Sequence, residues 1–441
     1  MVHHENRADA FFAVLAKSFR FSVSMAAVIA VLLPVGNTAW AQDRGAVRLI
    51  TTVPVPVTAL NSTAGALYSF DISYVDQSVQ AYFLADRSNR AVDVVDAQTL
   101  TFLGQAFANP PFRGFQPCSS PGFGPNDCAG PNGVVAAFPW LFVTDAGSRV
   151  VTIDLRTGAT VADIVARAGE PTRADELAYD HADGLLLVIN NASTPPFGTL
   201  IKVNQTTGGL TVVTNILLDA AHGVDAQDGA EQPVFHRSTG RFYLSIPQIG
   251  PNVQDGGVLR IHPTTGAIEK IFPVKRCGPA GLTVGPRPDL LVGCNKVFDT
   301  AGNVWEPNGT VSAAPKAVIL NVLTGATTDV PGVGAGDEVA FNRGDGHYYV
   351  TGSGSPFRPL PAATAKGATP LAVIDAENPR LIQTVDTYNV PAGPGHPAGT
   401  AHSVAVNAEN NHVFVPLAAN NAFPNCLTGC IAVFARSATG E

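Results

Sequence analysis

Basic residues and long hydrophobic runs are both scarce in this chain. Lys and Arg number 27 of 441 residues against 35 Asp and Glu, a net charge of −8, and they nowhere gather into a run that would neutralise a row of phosphates. Nucleic acid is therefore not an expected partner. Charged residues make up only 14% of the chain and hydrophobic residues 46%, so neither a disordered segment nor a coiled coil fits. The G-x-S-x-G, Walker and dinucleotide signatures are missing, which removes the serine-hydrolase, nucleotide and NAD readings that rest on them. C-x-x-C-H is missing as well, so c-type haem attachment is not expected.

One apolar stretch, Phe21 to Val35, falls short of the roughly 20 residues that span a bilayer. It follows Lys17 and Arg20 and leads to Ala39-Trp40-Ala41, a small-x-small cleavage pattern. Residues 1–41 are thus expected to be a signal peptide, with the mature protein beginning at Gln42 and placed outside the cell or in the periplasm. No later segment reaches spanning length, so no membrane span is expected after cleavage. All six cysteines lie in the mature part, and an even number in an exported chain points to disulfides. Proximity gives the pairing Cys118–Cys128, Cys277–Cys294 and Cys426–Cys430.

What the chain does have is a repeat. A short β-like run ending in a polar residue, often followed by Thr-Gly, recurs at Val92–Asp96, Val151–Asp154, Ile201–Asn204, Leu259–His262, Val318–Asn321 and Ala372–Asp375, with a degenerate copy at Ala432–Ala435. The copies are spaced 50 to 60 residues apart; each is preceded by two more β-like runs, and all but the last are followed by one. Four strands per unit and seven units make an all-β chain, one seven-bladed β-propeller over residues 42–441. The chain stops after the third strand of the seventh unit. Arg48–Val53 closely echoes Arg380–Val385, the outer strand of unit six, and is the candidate outer strand that completes the last blade.

Leu141-Phe-Val-Thr-Asp145 with Val151-Thr-Ile-Asp154 and Thr157-Gly158, and Tyr349-Val-Thr-Gly352, resemble the repeat of the YVTN-type seven-bladed propellers. The resemblance covers residues 46–441, and the wider group includes propeller lactonases and gluconolactonases. It implies the fold. It carries no catalytic motif over to this chain, because the group also includes surface-layer proteins and scaffolds.

In such a ring the residue opening each innermost strand lies at one rim of the central channel. Superposing the repeats puts Asp71, Asn132, Glu176, Gln232, Gly281, Glu338 and His402 there, with Asp175, Glu231, Asp337 and His222 nearby and hardly any Lys or Arg. Self-repulsion in such a set is relieved by a cation. Asp71, Asn132, Glu176, Glu338 and His402 are accordingly the expected ligands of a divalent metal, calcium first, with zinc or another transition metal if the imidazole takes part. His222 and Gln232 are the expected substrate contacts, and Glu176, Glu338 and His402 the expected proton movers of a metal-assisted hydrolase, lactonase or lyase. The competing reading is a non-catalytic binding or scaffold propeller of the cell envelope, whose acids merely fix turns. In either case the partner is a small molecule or an envelope protein and the chain is expected to be a monomer. Phe197, Phe357 and Phe423, placed in long loops on the same rim, are expected to form an apolar wall beside the ring.

Overall fold

The computed structural model describes residues 45–119, 122–124, 126–305, 315–333, 336–352, 371–387 and 401–436. The expected signal peptide and Phe357 lie outside the described residues. Seven four-stranded antiparallel sheets follow one another as blades, each with its first strand innermost. The inner strands are Ser73–Asp76, Val134–Ala137, Leu177–Asp180, Pro233–His236, Cys277–Val284, Gly336–Asn342 and Ala405–Asn407. Blade seven is built from Ala405–Asn407, His412–Leu417 and Cys430–Arg436, and its outer strand is Val47–Pro54 from the other end of the chain. Val47 pairs with Arg436 and Pro54 with Cys430. Among the described residues no helix is long and apolar enough to cross a membrane.

The repeated polar residue earns its place locally. At the end of the third strand, Asp154, Asn204 and Asn321 accept backbone N–H bonds from two or three residues ahead, and Gly158, Gly208 and Gly325 return an N–H to the same residue's carbonyl at 2.7–2.8 Å. That return requires a left-handed residue, and these glycines have φ of 73°, 74° and 81°. The Thr-Gly repeat is therefore the closing turn between the third and outer strands.

Seven apolar clusters hold the ring, and each lies between two adjacent blades. Phe83 and Val94 of blade one meet Leu141 and Val151 of blade two, and so on round to Val53, Phe414 and Ile431 of blade seven against Val75 and Tyr82 of blade one. Middle strands touch a blade on both faces and are buried throughout, as in Leu185–Asn190, whose first five residues are all apolar, whereas the outer strand Ala159–Val165 alternates between exposed and half-buried positions. Disulfides join Cys118 to Cys128, Cys277 to Cys294 and Cys426 to Cys430, the three pairs expected from proximity.

One turn also locks two blades together. A Cβ on Gly208 would stand 2.8 Å from the Trp140 ring and 2.9 Å from Val161 of blade two, whereas one on Gly147, also left-handed, meets nothing within 4 Å. Gly208→Ala is expected to cost about 2–4 kcal/mol, from backbone strain plus overpacking, and Gly147→Ala about 1 kcal/mol from strain alone. Equal denaturation midpoints for the two variants would contradict this.

Candidate functional site at the channel mouth

The rim of the ring is set by backbone hydrogen bonds to the second strands. The N–H groups of Asp71, Asn132, Asp175 and Glu231 donate to Ala85, Thr144, Ile189 and Ser245, at 2.7–3.0 Å. These four are the equivalent positions. The sequence superposition set Glu176 and Gln232 beside Asp71 and Asn132, one residue too far along. In the structure Glu176 and Gln232 are the counterparts of Ile72 and Gly133, because their carbonyls accept the reciprocal bonds from Ile189 and Ser245. A one-residue offset turns a side chain to a different direction in a strand, so the acids occupy two successive layers rather than one ring.

Together they line a well of about 370 Å³ formed by Asp71, Asp175, Glu176, Glu231, Asp337, Glu338 and His402 with Arg87, Arg173 and three asparagines. The two arginines are the largest departure from the sequence reading, which found almost no cations here. Arg87 is 2% exposed. Its guanidinium donates to Asp71, to Asn132 Oδ1 at 2.8 Å and to the Phe70 carbonyl at 3.3 Å, and lies 4.0 Å from Asp175. Arg173 pairs with Asp175 at 2.8 Å. His402 Nε2 meets Asp71 Oδ1 at 2.9 Å, and its ring stacks on Phe70.

The charges divide the well into two parts. Burial alone would raise Asp71, but Arg87 and His402 hold its carboxyl well below the usual range. Asp175 is raised to about 7 by burial, against the pull of Arg173. Glu231 is raised to about 8 by burial and by Asp337 and Asp175. Glu176 and Glu338 are pushed far up, first by burial and then by acidic neighbours, with Glu338 acting on Glu176 and Asp337 on Glu338. Glu176 Oε2 is buried with no hydrogen-bond partner among the described residues. Glu338 Oε2 accepts from Gln232 Nε2 at 2.8 Å, and Gln232 Oε1 takes the Leu282 N–H, so Gln232 is held between well and channel.

The structure brings Asp71, Glu176, Glu338 and His402 together and separates from them the fifth expected ligand, Asn132, and the expected substrate contact His222. Asn132 is fully buried behind Arg87, donating to the Ala129 and Ala174 carbonyls. His222 is half exposed on a single 3-10 turn, paired with Asp219, and lines no part of the well. The expected five-ligand metal set is thus broken: Asn132 and Asp71 are turned onto a guanidinium, which supplies the positive charge the metal was invoked for. Among the described residues no group of three or more His, Cys, Asp or Glu is arranged to hold a metal ion. The apolar wall is corrected as well, since Phe197 opens a third strand and is fully buried beneath Arg167, and Phe423 packs on the core between blades six and seven.

Arg87 follows the last residue of a second strand, Asp86, and so stands at the same rim as Ala146 and Asn191. Extending the superposition by one residue past the second strands would have found it. Arg173 sits in an irregular approach to the inner strand, where repeat alignment offers no register.

No family model matches the chain, and no curated protein matches it. Solved structures do: hydrazine synthase of Kuenenia stuttgartiensis superposes with a TM-score of 0.57 at 13% identity, over 88% of this chain and 99% of that one. The likeness shows the fold alone. The chain is a seven-bladed β-propeller.

Proposed function

We propose that this propeller is a ligand-binding protein whose acidic well receives a compact cation carrying hydrogen-bond donors, an ammonium or guanidinium group first and a divalent metal second. The observation that carries the reading is Glu176, whose buried Oε2 lacks a partner in a well shared with Glu231 and Glu338. Six carboxyls against two guanidiniums leave a negative excess, which the folded chain relieves by retaining protons and which a cation would relieve better. The divalent metal comes second because, among the described residues, no group of three or more His, Cys, Asp or Glu is arranged to hold one. The YVTN-type grouping and export through a signal peptide belong to the same proposal, supported by the repeat pattern and by the three disulfides.

Protons supply the test. Glu231 is raised to about 8, above its ordinary 4.5, so its contribution to stability is complete below that ordinary value and is lost as the pH climbs through 8. Without ligand the melting temperature should fall across that window. A bound cation lowers the carboxyl values, so binding at pH 6.5 should release protons and make the calorimetric heat depend on the buffer. Titrations with guanidinium chloride, methylammonium chloride and calcium chloride compare the cations, and Glu176→Gln with Glu338→Gln should abolish the response. Absence of heat and proton release with all three cations would leave a scaffold propeller.

A second reading is favoured by the His402–Asp71 contact, since a carboxylate that fixes an imidazole is how a proton-transferring histidine is oriented. Under it His402 and Glu176 move protons on a bound carbonyl compound, in a lactonase-like hydrolysis or a lyase reaction. Turnover of a lactone panel that is lost in His402→Asn, with cation binding retained, separates it from the first.

A further inference from the structure

The inner strands all run from the acidic well towards the other end of the channel, and what lies there differs in kind. Past Gln232 the channel is a space of about 390 Å³ of mixed lining, where Leu177, Val234, Leu282 and Val339 of four successive blades stand beside Ser73 and Thr283. It opens into a second cavity of about 490 Å³, and Tyr74, Gln77, Tyr179 and His181 line both. The far cavity is rimmed by Arg237 and Arg343, the residues immediately after the inner strands of blades four and six. Both are exposed. Neither makes an ion pair or hydrogen bond among the described residues, although most other arginines of the ring do. Asp76, the one carboxylate lining that cavity, is occupied by its own turn, accepting from Ser78 N and Oγ at 2.8 and 2.6 Å.

We propose that the central channel binds an apolar-tailed carboxylate, its head held by Arg237 and Arg343 at the mouth opposite the well and its tail lying among the inner-strand side chains. The charge pattern fixes the orientation. A carboxylate at the well end would face Glu176 and Glu338, whereas at the far end it meets two guanidiniums whose planar donors match its two oxygens. A partly apolar body with charged groups converging at one end is compatible with the general make-up of a small-molecule cavity. The inference stands apart from the cation reading, because it places a different ligand on different residues.

The probe is sodium decanoate, titrated calorimetrically into the folded chain below its micelle concentration, with decylammonium chloride as the charge-reversed control. Decanoate is expected to bind with one-to-one stoichiometry and decylammonium to bind at least about tenfold more weakly at the same site. The double variant Arg237→Gln with Arg343→Gln should weaken decanoate by about tenfold or more while leaving the melting temperature unchanged, since neither side chain has a partner to lose. Val284→Phe, which narrows the channel, should weaken decanoate with both arginines in place. No binding of decanoate, equal affinity for the two head groups, or wild-type affinity in the double arginine variant would each overturn the proposal. Guanidinium binding at the well and its loss in Glu176→Gln are unaffected by any of these outcomes.

Discussion

A chain beginning at Pro56 should melt far below the full-length protein, or fail to fold. The strand Val47–Pro54 is the fourth strand of blade seven, and Val47, Val53 and Val55 are all but fully buried. Val53 and Val55 belong to the cluster between blades seven and one, the seam where the two ends of the chain meet, and Val47 to the cluster between blades six and seven. Three buried valines at about 2 kcal/mol each amount to about 6 kcal/mol of lost burial, comparable to the entire stability of many domains. Backbone bonds are lost too. Gln383 of blade six grips Val47 with both ends of its amide, at 2.8 Å each, and Cys430–Arg436 would become an open edge that invites pairing with another chain. Thermal melting and size-exclusion chromatography of the shortened chain are the measurements. A cooperative melt at the full-length temperature would show that blade seven is stable with three strands.

Most of the fold was legible because the ring repeats its turn chemistry. Asp154, Asn204 and Asn321 recur where a side-chain acceptor and a left-handed glycine must close the third strand, and that requirement is local, so it survives in the sequence without reference to any other blade. Disulfide pairing was legible for a similar reason, since each pair joins segments 4 to 17 residues apart. The well was legible only in outline. Inner strands are short, their polar openings carry no turn signature, and a residue such as Asp175 or Glu176 fits the start of a strand equally well, so the register slipped by one in blades three and four. Arg87 was hidden by a different cause: it belongs to the turn after a second strand and reaches the well through a long side chain, which position in the repeat does not encode. The absence of cations from the aligned positions then pointed to a metal, where the chain itself supplies a guanidinium.

That guanidinium carries the second large effect. Arg87→Met keeps the length of the side chain and removes its charge, leaving Asp71 and Asp175 facing each other and Asn132 Oδ1 without its 2.8 Å donor. Breaking a buried pair by removing one partner costs about 3–5 kcal/mol, because the orphaned charge stays out of water. Asp71, held low by Arg87 and His402, contributes stability that is present above its ordinary 3.8 and is lost as the pH falls through its depressed value. In the variant the depression is relieved and the carboxyl takes up a proton more readily. The gap between wild type and variant should therefore be widest near pH 7 and shrink as the pH falls towards 4. Adding Asp71→Asn to Arg87→Met should recover part of the loss at pH 7, since the buried carboxylate that lost its guanidinium is then gone. Urea denaturation of the two variants at pH 7, 5.5 and 4 measures all three quantities. A gap that is constant with pH, together with no recovery in the double variant, would mean that Arg87 acts by filling space rather than by balancing the acids around it.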